Sequence, residues 1–181
     1  MKTRRVVIFS GATFVVPQSI QRIDTKATHG WQVRYHGTKM FSDHTPDGSG
    51  AARSLVKATR ELLARIASLP APVSLRRSPS DGKTSNLPSG ISGPIVRLRR
   101  GAHVRSASLT VLLPQFGRPA KCTTVYIGTE NTYSTERYRL AVAKALVLRE
   151  KAQARYEAEA TAARRKAAWA IRSALRKGAS A

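Results

Sequence analysis

Acidic side chains are scarce in this chain: 10 Asp and Glu stand against 32 Lys and Arg, a formal net charge of +22 over 181 residues. Solubility alone does not require that excess, and it makes a polyanion the leading partner. The shortage also removes chemistry. No acid stands between Asp81 and Glu130, so a paired-carboxylate or two-metal site has little to build on. Cysteine occurs once, as Cys122, and no internal disulfide can form. The four histidines, His29, His36, His44 and His103, lack metal-ligand spacing with each other or with Cys122. "GKT" at 82–84 matches the end of a phosphate loop, but Arg77 stands where that loop needs glycine. Apolar runs of membrane-spanning length are missing too. The chain is therefore read as a binding protein and not an enzyme, with no cofactor, metal, small-molecule substrate or membrane partner expected.

What is present is organised in blocks. "MKTRRVVIFSGATFVV" has the basic start and apolar stretch of a secretory signal. Gly11 interrupts the stretch, however, and Pro17, Gln18 and Ser19 occupy the place of a small-x-small cleavage site. Residues 1–18 are read as a β-rich lead-in, and the location as cytoplasmic and nucleoid-associated. Short alternating runs at about 19–24, 30–36 and 38–42 predict three strands. In "SGAARSLVKATRELLARIA" from residue 49, Leu55, Val56, Thr59, Leu62, Leu63 and Ile66 fall at helical spacing. Pro70 and Pro72 end that helix. Residues 19–68 make a first sheet-helix unit. The Pro, Ser and Gly density of 69–93 reads as a flexible linker.

The order strand, strand, strand, helix then recurs over 94–152, in "PIVRLRRG", "SASLTVLL", "KCTTVYIGT" and a helix from near Ser134. The predicted fold class is α+β: two small units, each a three-stranded antiparallel sheet packed on one helix, with a long basic C-terminal helix over 153–181. That last stretch is Ala-rich, so it is expected to project from the domain, leaving Trp169, Ile171 and Leu175 to dock elsewhere.

Period-two alternation assigns the faces. Trp31, Val33 and Tyr35 share one side, and Trp31 is expected in the core against Leu55, Thr59 and Leu62. Gln32, Arg34 and His36 take the other side, where Arg22 and Lys39 from the flanking strands are expected to join them. In the second unit Val96 and Leu98 are expected inward, with Arg97 and Arg99 outward and Arg100 and Arg105 beside them. Ala107, Leu109 and Val111 alternate with Ser106, Ser108 and Thr110. Val125 and Ile127 point in, Thr124 and Tyr126 out, and Arg118 and Lys121 are set to reach phosphates. A basic sheet of this width fits the major groove, where Arg reads guanine and Gln reads adenine. Arg164, Arg165 and Lys166 on the terminal helix suit phosphates.

These residues resemble the Apetala-two / ethylene-responsive-factor DNA-binding domain of plants and its bacterial, phage and mobile-element relatives, in a tandem form. The similarity lies in "IQRID", "GWQVRYHG", "MFSD" and "GAARSLVKATREL" of the first unit, and "GISGPIVRLRRG", "VYIGT" and "ERYRLAVAKALVLRE" of the second. It spans about 19–68 and 90–151. The resemblance implies a sheet inserted in the major groove, with Arg22, Arg34, His36, Lys39, Arg97, Arg99, Thr110, Thr124 and Tyr126 touching DNA. Unit two departs from the pattern by having Ala107 or Leu109 where unit one has Trp31, and unit one by a very short second hairpin. The reading is a double-stranded DNA-binding protein, a transcriptional regulator or a mobile-element or phage accessory factor that reads the major groove with its basic sheet faces. The alternative is an RNA-binding or ribosome-associated basic protein.

Overall fold

The computed structural model describes the backbone of residues 1–178 apart from Arg77, Arg99 and Ala102, and side chains through Ser173. It is α+β, with three small antiparallel sheets and two helices among the described residues. The chain divides into two compact units. Met1–Pro72 form one together with the chain from Thr161 onward, and Val73–Ala160 form the other.

The first unit opens with a hairpin of β1 (Thr3–Val7) and β2 (Thr13–Pro17), a sheet of its own. A three-stranded sheet follows: β3 (Ile20–Asp24), β4 (His29–Arg34) and β5 (Thr38–Ser42), in that spatial order. Helix α1 (Ala51–Ser68) buries Ala58, Leu62, Leu63 and Ile66 against Trp31, Val33 and Tyr35. Trp31 is fully buried, and its indole N–H donates to the Ala51 carbonyl at 2.8 Å. Gly50 permits the chain to enter α1, because a Cβ there would lie 2.0 Å from the Asp43 carbonyl oxygen. The lead-in of 1–18 is thus part of this core: Ile8 and Val16 are buried in it, and Phe14 meets Trp31 edge-on at 5.7 Å.

The second unit holds β6 (Ile91–Leu98), β7 (Arg105–Gln115) and β8 (Arg118–Thr129), with β7 central. Ile91, Leu109, Val111, Val125 and Ile127 share a core with Ala141 and Ala145 of helix α2 (Thr135–Gly178). Arg149 of α2 is buried and donates to the Leu112 carbonyl. Burial lowers its pKa below the usual arginine value. A side chain on Gly90 would collide with this guanidinium at 2.5 Å, and the Gly90 φ of +81° favours glycine as well.

Three sequence expectations change. The end of the supposed linker belongs to the second unit, because Leu87 is buried in that core and Lys83 donates to the carbonyls of Pro88 and Ile91 at 2.6 and 2.8 Å. Within the described part of 153–181, the helix does not simply project: Ala168 is buried in the first core and Ile171 docks against it as expected, while Trp169 stays 71% exposed. The Leu175 side chain lies outside the described residues. Val96 and Leu98 are 58% and 59% exposed, so this end of β6 runs past the covered part of the sheet.

Ion pairs on the first sheet make stability depend on acid. Burial alone would raise the Asp24 pKa, but hydrogen bonds from Arg22 and His29 outweigh it and hold the carboxyl below its ordinary range. Bonds from Arg65 and then Lys39 lower that of Glu61. Groups with depressed folded pKa values contribute their full stabilisation above the unfolded value of about 4 and lose it as the pH falls through the folded one. The melting temperature, followed by circular dichroism, should therefore hold above about pH 5 and fall on acidification below about pH 4.

Candidate nucleic-acid interface

In antiparallel pairs, directly opposed residues lie on the same face of the sheet, so register decides which side chains meet. On the second sheet, Arg97 opposes Ser106, Ser108 opposes Tyr126, and Thr110 opposes Thr124. All six lie on the side away from buried Ala107, Leu109 and Val111. A bulge between Ser92 and Ile95 restores this parity on β6, and another at Ala107 and Ser108 does so between β7 and β8. The face carries an exposed arginine, an exposed tyrosine at 55%, and a field of hydroxyls. None of these residues is a carboxylate. Successive rows along a strand are about 6.8 Å apart and strands about 4.8 Å, so the axes of the two outer strands lie about 10 Å apart, against a major groove of roughly 12 Å.

Ser92 and Cys122 also belong to this face, opposite Thr110 and Leu112 respectively. Neither is evident from sequence alone: Ser92 falls in the Pro-, Ser- and Gly-dense stretch, and the parity of Cys122 follows only from pairing. Arg99 lies outside the described residues. Arg100 and Arg105 are exposed at the end of the sheet, and Arg105 opposes Leu98, on the opposite parity from Arg97. Arg118 and Lys121 are exposed near the β7–β8 turn. Arg118 lines a cleft with Lys151, Arg155 and Tyr156, where the Phe116 and Tyr156 rings meet edge-on at 5.6 Å.

The first sheet departs from expectation. Arg22 opposes Trp31 and Lys39 opposes Val33, which puts both on the helix-facing side. Arg22 bonds Asp43 at 2.6 Å and Asp24 at 2.8 Å, and its guanidinium lies 5.0 Å from the Trp31 ring centroid. Lys39 pairs with Glu61 at 3.1 Å. His36 sits in the hairpin turn with φ +50° and its Nε2 donates to the Pro70 carbonyl at 2.7 Å. Only Gln32 and Arg34 share the outer face as expected, and Arg34 Nε donates to Gln32 Oε1 at 2.6 Å. A face expected to hold several cations thus keeps one from that set.

The terminal helix is engaged as well. Arg164 donates to Ser19 Oγ at 2.9 Å, and Arg165 donates to the Ile66 carbonyl at 3.3 Å in the last turn of α1. Lys166 is exposed. Two of the three side chains set aside for phosphates therefore hold the first unit together, where they satisfy carbonyl and hydroxyl groups. Compared with protein-family models, with curated proteins and with solved structures, the chain matches none.

Proposed function

We propose that this chain is a double-stranded DNA-binding protein that inserts the outer face of β6, β7 and β8 into the major groove, as a transcriptional regulator or a mobile-element accessory factor. The observation that carries the reading is the register bringing Arg97, Thr110, Thr124 and Tyr126 to one acid-free face of a three-stranded sheet. Arg97 is the candidate base reader, since its guanidinium can bond guanine O6 and N7 together. The hydroxyls of Thr110 and Thr124 suit either bases or phosphates, and Arg118 and Lys121 extend the interaction along the backbone. The two units are then variants of one plan, a three-stranded sheet on a helix, as the Apetala-two / ethylene-responsive-factor resemblance implies. Base reading is assigned to the second, because ion pairs occupy Arg22 and Lys39 in the first.

Sites selected from a randomised duplex pool provide the test. Arg97→Ala should cost roughly 1–3 kcal/mol on the selected site and relax its sequence requirement, with much less effect on random duplex. Equal losses on both would reduce the sheet to an electrostatic surface. Tighter binding to structured RNA in direct competition would reject duplex DNA as the partner.

A further inference from the structure

A second cationic feature lies in the first unit, away from the face just described. Lys2, Arg4, Ser19, Gln21 and Arg34 line a cleft of about 470 Å³ between the β1–β2 hairpin and the outer side of the first sheet. That volume is in the range of ligand pockets. Several hydrogen bonds build it. The Gln18 amide donates to the Lys2 carbonyl at 2.9 Å, and the Arg34 amide donates to the Ser19 carbonyl at 2.7 Å. Arg4 Nη2 donates to the Ile20 carbonyl at 3.1 Å, which fixes its guanidinium at the cleft wall. Ser19 adopts φ +81° and accepts a hydrogen bond from Arg164, adding a fourth cation beside the cleft.

Like charges that line one cleft repel unless something compensates them. No carboxylate lines the cleft among the described residues. Residues 1–72 contain four acids, and each is engaged elsewhere: Asp24 and Asp43 on Arg22, Glu61 on Lys39 and Arg65, and Asp47 on Ser49. Every other arginine or lysine of the first sheet's strands has an acidic partner, whereas Arg34 meets the Gln32 amide oxygen. Lys2 and Arg34 are both exposed.

We propose that this cleft is a phosphate-binding site, with Lys2 and Arg34 as the principal ligands and Arg4 held ready by its bond to Ile20. Arginine offers the planar fork that matches phosphate oxygens, and lysine adds a mobile point charge. The phosphate comes either from a nucleic-acid backbone or from a free phosphate compound, and the recognition chemistry is the same for both. The site is independent of base reading by the second sheet.

The experiment uses the full chain, labelled with nitrogen-15, and titrates inorganic phosphate against chloride at constant ionic strength. The same protein is titrated with random duplex DNA over a series of salt concentrations. The comparison variant is Lys2→Gln with Arg34→Gln, both exposed positions, and an unchanged melting temperature verifies its fold. Phosphate-specific amide shifts at Ser19, Gln21 and residue 34, abolished in the variant, support the proposal with a free phosphate as the source. A salt slope shallower by about 0.9 for each phosphate no longer neutralised, with sequence preference unchanged, supports it with the nucleic-acid backbone as the source. If neither the shifts nor the shallower slope is observed, the proposal is overturned. Loss of selectivity in Arg97→Ala leaves the slope of this variant unaffected, so the two readings fail separately.

Discussion

Trp31→Ala should lower the stability of the first unit by about 3–5 kcal/mol, the usual cost of truncating a large aromatic in a core. The ring is fully buried, meets Phe14 edge-on, and donates its indole N–H to the first turn of α1. Alanine would remove the packing, the ring pair and the hydrogen bond together and leave a void between sheet, hairpin and helix. Trp31→Phe keeps most of the packing and loses the hydrogen bond, so it should cost less, about 1 kcal/mol for the bond itself plus the smaller ring. Urea denaturation followed by far-ultraviolet circular dichroism measures both. An unchanged midpoint together with abolished DNA binding would make Trp31 a DNA-touching residue and refute its place in the core.

Asp43→Ala should cost a comparable amount, again about 3–5 kcal/mol, for an electrostatic reason. The Asp43 side chain is wholly buried, accepts from Arg22 at 2.6 Å and from Ser54 Oγ at 2.5 Å, and sits where the chain turns into α1. Without it, Arg22, whose side chain is only 7% exposed, keeps only Asp24 as an ionic partner among the described residues. One buried nitrogen of Arg22, Nη1, already has no hydrogen bond. Combining Arg22→Met with Asp43→Ala should therefore lose less than the two single losses added, because the double variant buries no uncompensated charge. Additive losses in a double-mutant cycle would mean that the pair contributes nothing jointly.

The elements were legible where the pattern is local. Leu55, Leu62 and Ile66 announce α1 by their spacing, and Trp31, Val33 and Tyr35 announce the buried side of β4. The outward set on β7 follows equally well from the alternation of Ala107, Leu109 and Val111 with serine and threonine. Properties set between strands were not legible. Arg22 and Lys39 look free when each strand is read alone, yet pairing brings Arg22 opposite Trp31 and Lys39 opposite Val33. Acids distant in sequence, Asp43 and Glu61, then neutralise them. The role of the terminal helix was hidden for another reason. A stripe built on Ala168 carries little hydrophobic signal, and arginines that bond carbonyls resemble arginines that await phosphates. The cleft residues Lys2 and Arg4 stood in what looked like a lead-in, and only the hairpin's packing brings them beside Arg34.

Helix α2 has a consequence for the order in which the chain is made. The first core consists of residues between Ile8 and Ile66, with Ala168 added from the far end of that helix. A ribosome delivers Ile8 through Ile66 early, then all of Val73–Ala160, and only afterwards Ala168. The unit that starts first is thus completed last, since domains fold as their segments emerge. Until the helix arrives, Ile66 and Leu63 await the arginines that bond their carbonyls. A nascent chain halted before residue 161 would carry a finished second unit and a first one still lacking Ala168 and Ile171.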